Sequence, residues 1–220
     1  DIGVTPLSMA GFGNLRALSR KNDTPHKALR PFDRERDGMV LGEGGVVFVL
    51  ERSTDALKRG AKTYGQVAGF GATSDAHHMV IPCPEPQQGI AAMRQALQNA
   101  KIEPREIDYI NAHATATPVG DICEAKILRA VLGDAIGEVP ISSTKSQTGH
   151  LLSAAAAIEA VVCLVALEKQ LIPPTVNLDD PDPECGMLRH VRNAPEPAKI
   201  DFAVSHEFAG QEHQRNHRHF

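Results

Sequence analysis

The sequence contains no CxxC pair. Its four cysteines, Cys83, Cys123, Cys163 and Cys185, are scattered along 220 residues, which excludes a disulfide framework and fits a reducing compartment, the cytoplasm. Blocks of one charge are absent too: 23 Lys plus Arg and 27 Asp plus Glu are interspersed, for a formal net charge of -4. That pattern offers neither a nucleic-acid surface nor a polybasic membrane anchor, and leaves proteins and small molecules as partners. No short-period repeat, low-complexity tract, signal peptide or transit segment is read in the chain. It opens without Met, on DIGVTPLSMAGFG, like the middle of a longer sequence. The apolar run 151–167 has 17 positions with Glu159 among them. It falls short of the roughly 20 residues that span a bilayer, so it predicts a helix buried in protein rather than a membrane span.

What is present is enough to fold. A hydrophobic content of 42% over this length builds one large domain or two small ones. Strand-like and helix-like segments alternate. GGVVFVLE (44–51) and YGQVAGFGA (64–72) read as strands, the second weaker and glycine-ended. QGIAAMRQALQNA (88–100) sets Ile90, Met93 and Leu97 at helical spacing, and EIDYINAH (106–113) is a strand stopping at a histidine. DICEAKILRAVLG (121–133) predicts an amphipathic helix with Asp121 as N-cap, Glu124 three residues on, and Gly133 at its close. VPISSTK (139–145) is a strand, the Ala-rich helix follows, and IDFAVSHEF (200–208) is the last clear strand. LIPPTVNLDDPDPEC (171–185) is a Pro- and Asp-rich connection. This order is that of an α/β protein with a mainly parallel sheet covered on both faces.

In such sheets ligands collect at the carboxyl ends of the strands. Two strands end in chemistry: EIDYINAH delivers His113, and VPISSTK delivers Lys145 with His150 five residues later. If the strands are neighbours, these side chains converge. A lysine cation near the histidines, and a helix N-terminus near His150, favour neutral imidazoles. A neutral imidazole donates one hydrogen bond to a carbonyl oxygen on which charge develops. The pattern points to oxyanion or carbanion chemistry and away from a metal cage. His77 and His78 with Cys83 are too loosely spaced for a metal site.

NAHATATPVGD, SSTKSQTGHLLSAAAAIEA, LIPPTVNLDDPDPEC and RPFDRERDGMVLGEGGVVFVLE together resemble the β-ketoacyl-acyl carrier protein synthases, the condensing enzymes of fatty-acid synthesis. The resemblance implies the thiolase-like fold, mainly its C-terminal half, with a mixed, mostly parallel sheet and a buried central helix. Residues 1–62 would end the N-terminal half and 63–208 form the C-terminal half. The family's catalytic set is a Cys and two His. On that pattern His113 and His150 bind the thioester carbonyl of malonyl-carrier, and Lys145 supports them, linked to Glu124 with Asp121 in the same polar network. Glu159 matches a structural glutamate of the central helix. Thr115 and Thr117 match positions that bind the phosphopantetheine arm, and Phe208 matches the acyl-pocket gate.

The resemblance further implies acyl carrier protein as partner, bearing acyl or malonyl groups, a homodimer at full length, and no metal or organic cofactor. No cysteine here has the small-residue turn of the family's nucleophile, so the chain by itself is expected to be inactive. The alternative is a non-catalytic subunit of the chain-length-factor kind. A third reading makes the tail a metal module through His213, His217 and His219. After Phe208 the family's glycine-rich loop is reduced to FAGQ, and QEHQRNHRHF replaces an apolar strand. Residues 209–220 are therefore expected to be disordered, the product of a reading-frame shift near Glu212.

Overall fold

The structure is a computed structural model describing residues 3–78 and 80–207. The gate position Phe208 and the tail 209–220, with its three histidines, lie outside the described residues. In chain order the helices are α1 (Pro6–Asn14), α2 (Ser53–Lys58), α3 (Gln87–Ala100), α4 (Pro118–Leu132), α5 (Lys145–Thr148) and α6 (Ala155–Lys169). The strands are β1 (Tyr109–Asn111), β2 (Pro140–Ser142), β3 (Leu171–Ile172), β4 (Arg189–His190), β5 (Glu196–Pro197) and β6 (Ala203–Ser205). Four of them form one sheet in the order β4-β2-β1-β6, every pairing parallel. β3 and β5 make a separate antiparallel ribbon, of which β3 lies at the start of the stretch expected as plain connection and β5 beyond it.

The short strands show why the sheet is covered on both faces. Successive strand residues point to opposite sides, and both sides of β1 are apolar. Tyr109 packs with Cys163 and Ala166 of α6 and with Ile172 and Ile200. Ile110 belongs to the larger core with Ile90, Met93 and Leu97 of α3 and Ile127 and Leu128 of α4. The layers are thus α3 and α4, the sheet, and α6. Among the described residues no helix is long and apolar enough to cross a membrane.

Three expectations are corrected. Neither 44–51 nor 64–72 forms a strand: Val47 is 92% exposed and Val49 88%, and Tyr64, Val67 and Phe70 are exposed as well. A β-branched run supplies propensity, but a strand exists only beside a partner whose backbone it pairs with. α6 is not buried along its length. It buries the stripe Ala155, Glu159, Cys163, Ala166, spaced four, four and three as one helical face requires, while Ala156 and Val165 are exposed, as is Ser153 just before it. Finally, α4 begins at Pro118 with Thr117 as its N-cap, so Asp121 lies inside the first turn and caps nothing. Proline suits a helix start because its missing N–H would be unpaired there anyway. Gly133 does close the helix, at φ 53.

Candidate active site

β1 lies between β2 and β6, so three adjacent strands deliver their carboxyl ends to one place. Asn111 pairs with Ser142 on one side and Ser205 on the other. Two residues past that rung stand His113, after β1, and Glu207, after β6. Lys145 follows β2 at the start of α5. Cross-links level the strand ends: the Asn111 side-chain amide donates to Thr144 Oγ1 at 3.1 Å, and Ser143 Oγ donates to the Ala114 carbonyl at 2.9 Å.

The two histidines meet. The rings of His113 and His150 have centroids 5.4 Å apart and stand nearly perpendicular, at 87°. His150 is not seated by the N-terminus of α6, which begins five residues later after a 3-10 turn at Leu152–Ala154. It is clamped from the far side of the sequence. His150 N–H donates to the Val40 carbonyl at 2.8 Å, and Gly42 N–H donates to the His150 carbonyl at 3.0 Å.

That clamp needs two glycines face to face. Gly149 has φ +76, and a Cβ on Gly42 would sit 2.4 Å from the Thr148 carbonyl oxygen. Gly42→Ala should therefore force the clamp apart and lower unfolding free energy by about 1–3 kcal/mol, read from the denaturant midpoint. An unchanged midpoint would show that the loop yields freely.

Lys145 is buried to 1% exposure, yet its ammonium stays charged. Burial pushes its pKa down, but Glu207 and Glu159 outweigh burial and raise it. Its partners correct the expected link to Glu124: Nζ forms an ion pair with Glu159 Oε1 and lies 3.3 Å from Glu207 Oε1. Burial first, and the neighbouring Glu207, push the Glu159 carboxyl up to about 10. Glu207 goes the other way: burial raises it, but His113 and Lys145 hold it well below the usual carboxylate range. The lysine cation expected to act on the imidazoles is thus matched by carboxylates, one of which lies 2.8 Å from His113 Nδ1 through its Oε2.

Glu124 holds the loop after β1. Its two oxygens accept from His113 N–H at 2.8 Å and Ala114 N–H at 2.7 Å, and His206 Nδ1 lies 2.6 Å from Oε1. Burial raises this carboxyl, and the His206 contact outweighs it, so the net shift is downward. Asp121 accepts from Phe32 N–H at 2.8 Å and lies 3.6 Å from Arg36 Nε. Burial pushes it up to about 7 against the pull of Arg36. Arg36 also donates to the carbonyls of Thr117 and Pro118, so the RPFDRERD segment is stitched to the entry of α4.

Thr115 and Thr117 sit on the loop between His113 and α4, their hydroxyls 3.1 Å apart. His78 is engaged locally, Nδ1 accepting from the backbone of Val80 and Ile81 at 3.2 Å. Among the described residues no group of three or more His, Cys, Asp or Glu is placed to hold a metal ion.

This geometry can be set beside known proteins. The β-ketoacyl synthase C-terminal domain matches residues 64–179, and the N-terminal domain of the same family matches residues 1–56. The chain belongs to the β-ketoacyl synthase family. A 3-oxoacyl-[acyl-carrier-protein] synthase 2 of Vibrio cholerae is 46% identical over 209 residues, 94% of this chain and 50% of that protein. A β-ketoacyl synthase from Burkholderia phymatum superposes with a TM-score of 0.89 at 37% identity, covering 94% of this chain and 50% of its own. A second solved structure, a type II PKS acyl-carrier protein in complex with its ketosynthase bound to the hexaketide, gives a TM-score of 0.89 at 37% identity, over 93% of this chain and 50% of that one. The fold is thiolase-like α/β. The chain spans about half the length of the curated relatives it matches.

Sequence reasoning passed over Glu207 and His206. The signal was available, since both follow a strand's carboxyl end, the same rule that singled out His113 and Lys145. It also passed over Arg36 and the Val40 and Gly42 clamp, whose contacts span too much sequence for any local pattern to announce.

Proposed function

We propose that this chain is the carboxyl-terminal part of a β-ketoacyl-ACP synthase that joins an acyl group to malonyl-ACP with loss of CO2, in fatty-acid synthesis. The observation that carries the reading is the His113–His150 pair, with ring centroids 5.4 Å apart, His113 just past β1 and His150 just past α5. Residues 1–62 belong to the amino-terminal half and 63–208 to the carboxyl-terminal half. The apolar side chains left exposed at 47–50 and at Val165 of α6 are surface for the remainder of the full-length protein to cover.

In this reading the acyl group rides on a cysteine outside the chain. The malonyl thioester carbonyl is held by His113 and His150. The bond to the carboxylate breaks, releasing CO2 and leaving its electron pair as an enolate. The enolate carbon forms the new bond to the acyl carbonyl carbon, and the cysteine thiolate departs. Hydrogen bonds aimed at the enolate oxygen act where charge appears, which is where they accelerate most. Thr115 and Thr117 contact the phosphopantetheine arm, Lys145 with Glu159 sets the charge behind the histidines, and Phe208 gates the acyl pocket. The partner is acyl carrier protein, consistent with the related ketosynthase solved with its own carrier. The full-length protein is a cytoplasmic homodimer that needs no metal or organic cofactor.

Full-length protein given acyl-ACP and malonyl-ACP should yield β-ketoacyl-ACP and CO2; no product would overturn the assignment. The 220-residue chain should take no acyl group. Burial pushes the thiol of Cys123 up to about 11, and those of Cys163 and Cys185 up to about 12, and the nucleophile in acyl transfer is the thiolate. Intact mass spectrometry after incubation with acyl-ACP checks this, and a stable adduct on any of the four cysteines would place the nucleophile inside the chain.

A further inference from the structure

The glutamate at the end of β6 has no role in the reading above, and its position gives it one. Glu207 Oε1 lies 3.3 Å from Lys145 Nζ and Oε2 lies 2.8 Å from His113 Nδ1. The carboxylate thus spans the two chemical groups that adjacent strands present. At 2.8 Å a carboxylate oxygen facing a bare nitrogen lone pair would be repelled. The approach is attractive with a proton on that nitrogen. Lys145, itself paired to Glu159, anchors the other oxygen and so limits the carboxylate's freedom to turn away.

Which ring nitrogen of a histidine carries the proton is set by the partner of the other. We propose that Glu207 is a positioning residue that fixes the proton of neutral His113 on Nδ1, so that His113 reaches a donating Nε2 only by taking up a second proton there. The two imidazoles are then unequal. With its proton on Nδ1, His113 takes up a hydrogen bond or a proton at Nε2, and it donates from Nε2 only when both ring nitrogens carry a proton. Glu124 does not compete for this nitrogen, because its oxygens are committed to the backbone N–H groups of His113 and Ala114 and to His206. The inference rests on the proposed function for its use in catalysis, but not for the proton's location.

The test is side-chain 15N NMR of the 220-residue chain at pH 9, well above the ordinary histidine range of about 6.5. The His113 signals are assigned by their loss in His113→Gln. The wild-type chain should show His113 as the Nδ1–H tautomer, and Glu207→Ala should convert it mainly to Nε2–H while the His150 signals keep their tautomer. An Nε2–H tautomer in the wild-type chain, or an Nδ1–H tautomer that persists in Glu207→Ala, overturns the proposal. The wild-type spectrum alone decides the first point even if the variant folds poorly. In full-length protein the same variant should change the pH profile of decarboxylation, which a merely structural role would not. A protein that shows the tautomer but does not decarboxylate malonyl-ACP would remove the catalytic reading and leave the placement of the proton standing.

Discussion

Replacing His113 or His150 by alanine in the full-length protein should slow malonyl-ACP decarboxylation by about two to three orders of magnitude, the usual cost of one lost donor at a developing oxyanion. Self-acylation of the full-length protein's cysteine should suffer far less, because in the proposed mechanism the enolate forms only after the acyl group is in place. The ratio of the two rates is therefore the informative quantity. A fold defect would lower both together. The rings are nearly perpendicular, with centroids 5.4 Å apart, close enough for both residues to reach one oxygen as the proposed mechanism requires. Their effects should not add: the double variant should be little worse than the weaker single variant. Radiolabelled CO2 release and acyl-enzyme formation, measured on the same preparations, give both rates. Decarboxylation at the normal rate in both single variants would refute the assignment.

The parallel sheet was legible because it depends on local signals. The strands expected at 106–113, 139–145 and 200–208 are present as shorter ladders at Tyr109–Asn111, Pro140–Ser142 and Ala203–Ser205. The meeting of His113, Lys145 and His150 followed from the strand ends once β1 and β2 proved to be neighbours. What could not be read was set by distant partners. GGVVFVLE has the composition of a strand, but composition does not supply the adjacent backbone. His150 was expected to depend on the helix after it, yet its backbone bonds go to Val40 and Gly42, more than a hundred residues earlier. The link from Lys145 to Glu124 failed for a similar reason: Glu124 is saturated by backbone N–H donors and His206, and the lysine turns to α6 and the end of β6.

Lys145 and Glu159 should prove the most sensitive pair for stability. Both are 1% exposed, and removing the lysine leaves the Glu207 carboxylate without its cation and Glu159 without its partner, a loss that typically costs about 3–5 kcal/mol. Lys145→Met should lose that much in denaturant unfolding, a large share of the roughly 5–15 kcal/mol that holds an ordinary domain together. Lys145→Met with Glu159→Leu should recover part of it, since an apolar pair leaves no unpaired polar group between the two positions while Glu207 keeps its contact with His113. The pH dependence gives a second check. Glu159 is raised to about 10 in the folded protein, so the folded state holds its proton more tightly than the unfolded chain does. Its contribution is favourable below its unfolded value of about 4.3 and is lost as pH rises toward 10. That value already includes the pull of the lysine, so between pH 5 and pH 8 Glu159 keeps its proton in both proteins, and the deficit of Lys145→Met should be the same at the two pH values; a deficit that grows over this range would show Glu159 ionised beside the lysine. A single variant within about 1 kcal/mol of the wild-type chain, or a double variant as unstable as the single one, would show that the pair is solvated and that Lys145 is held by Glu207 alone.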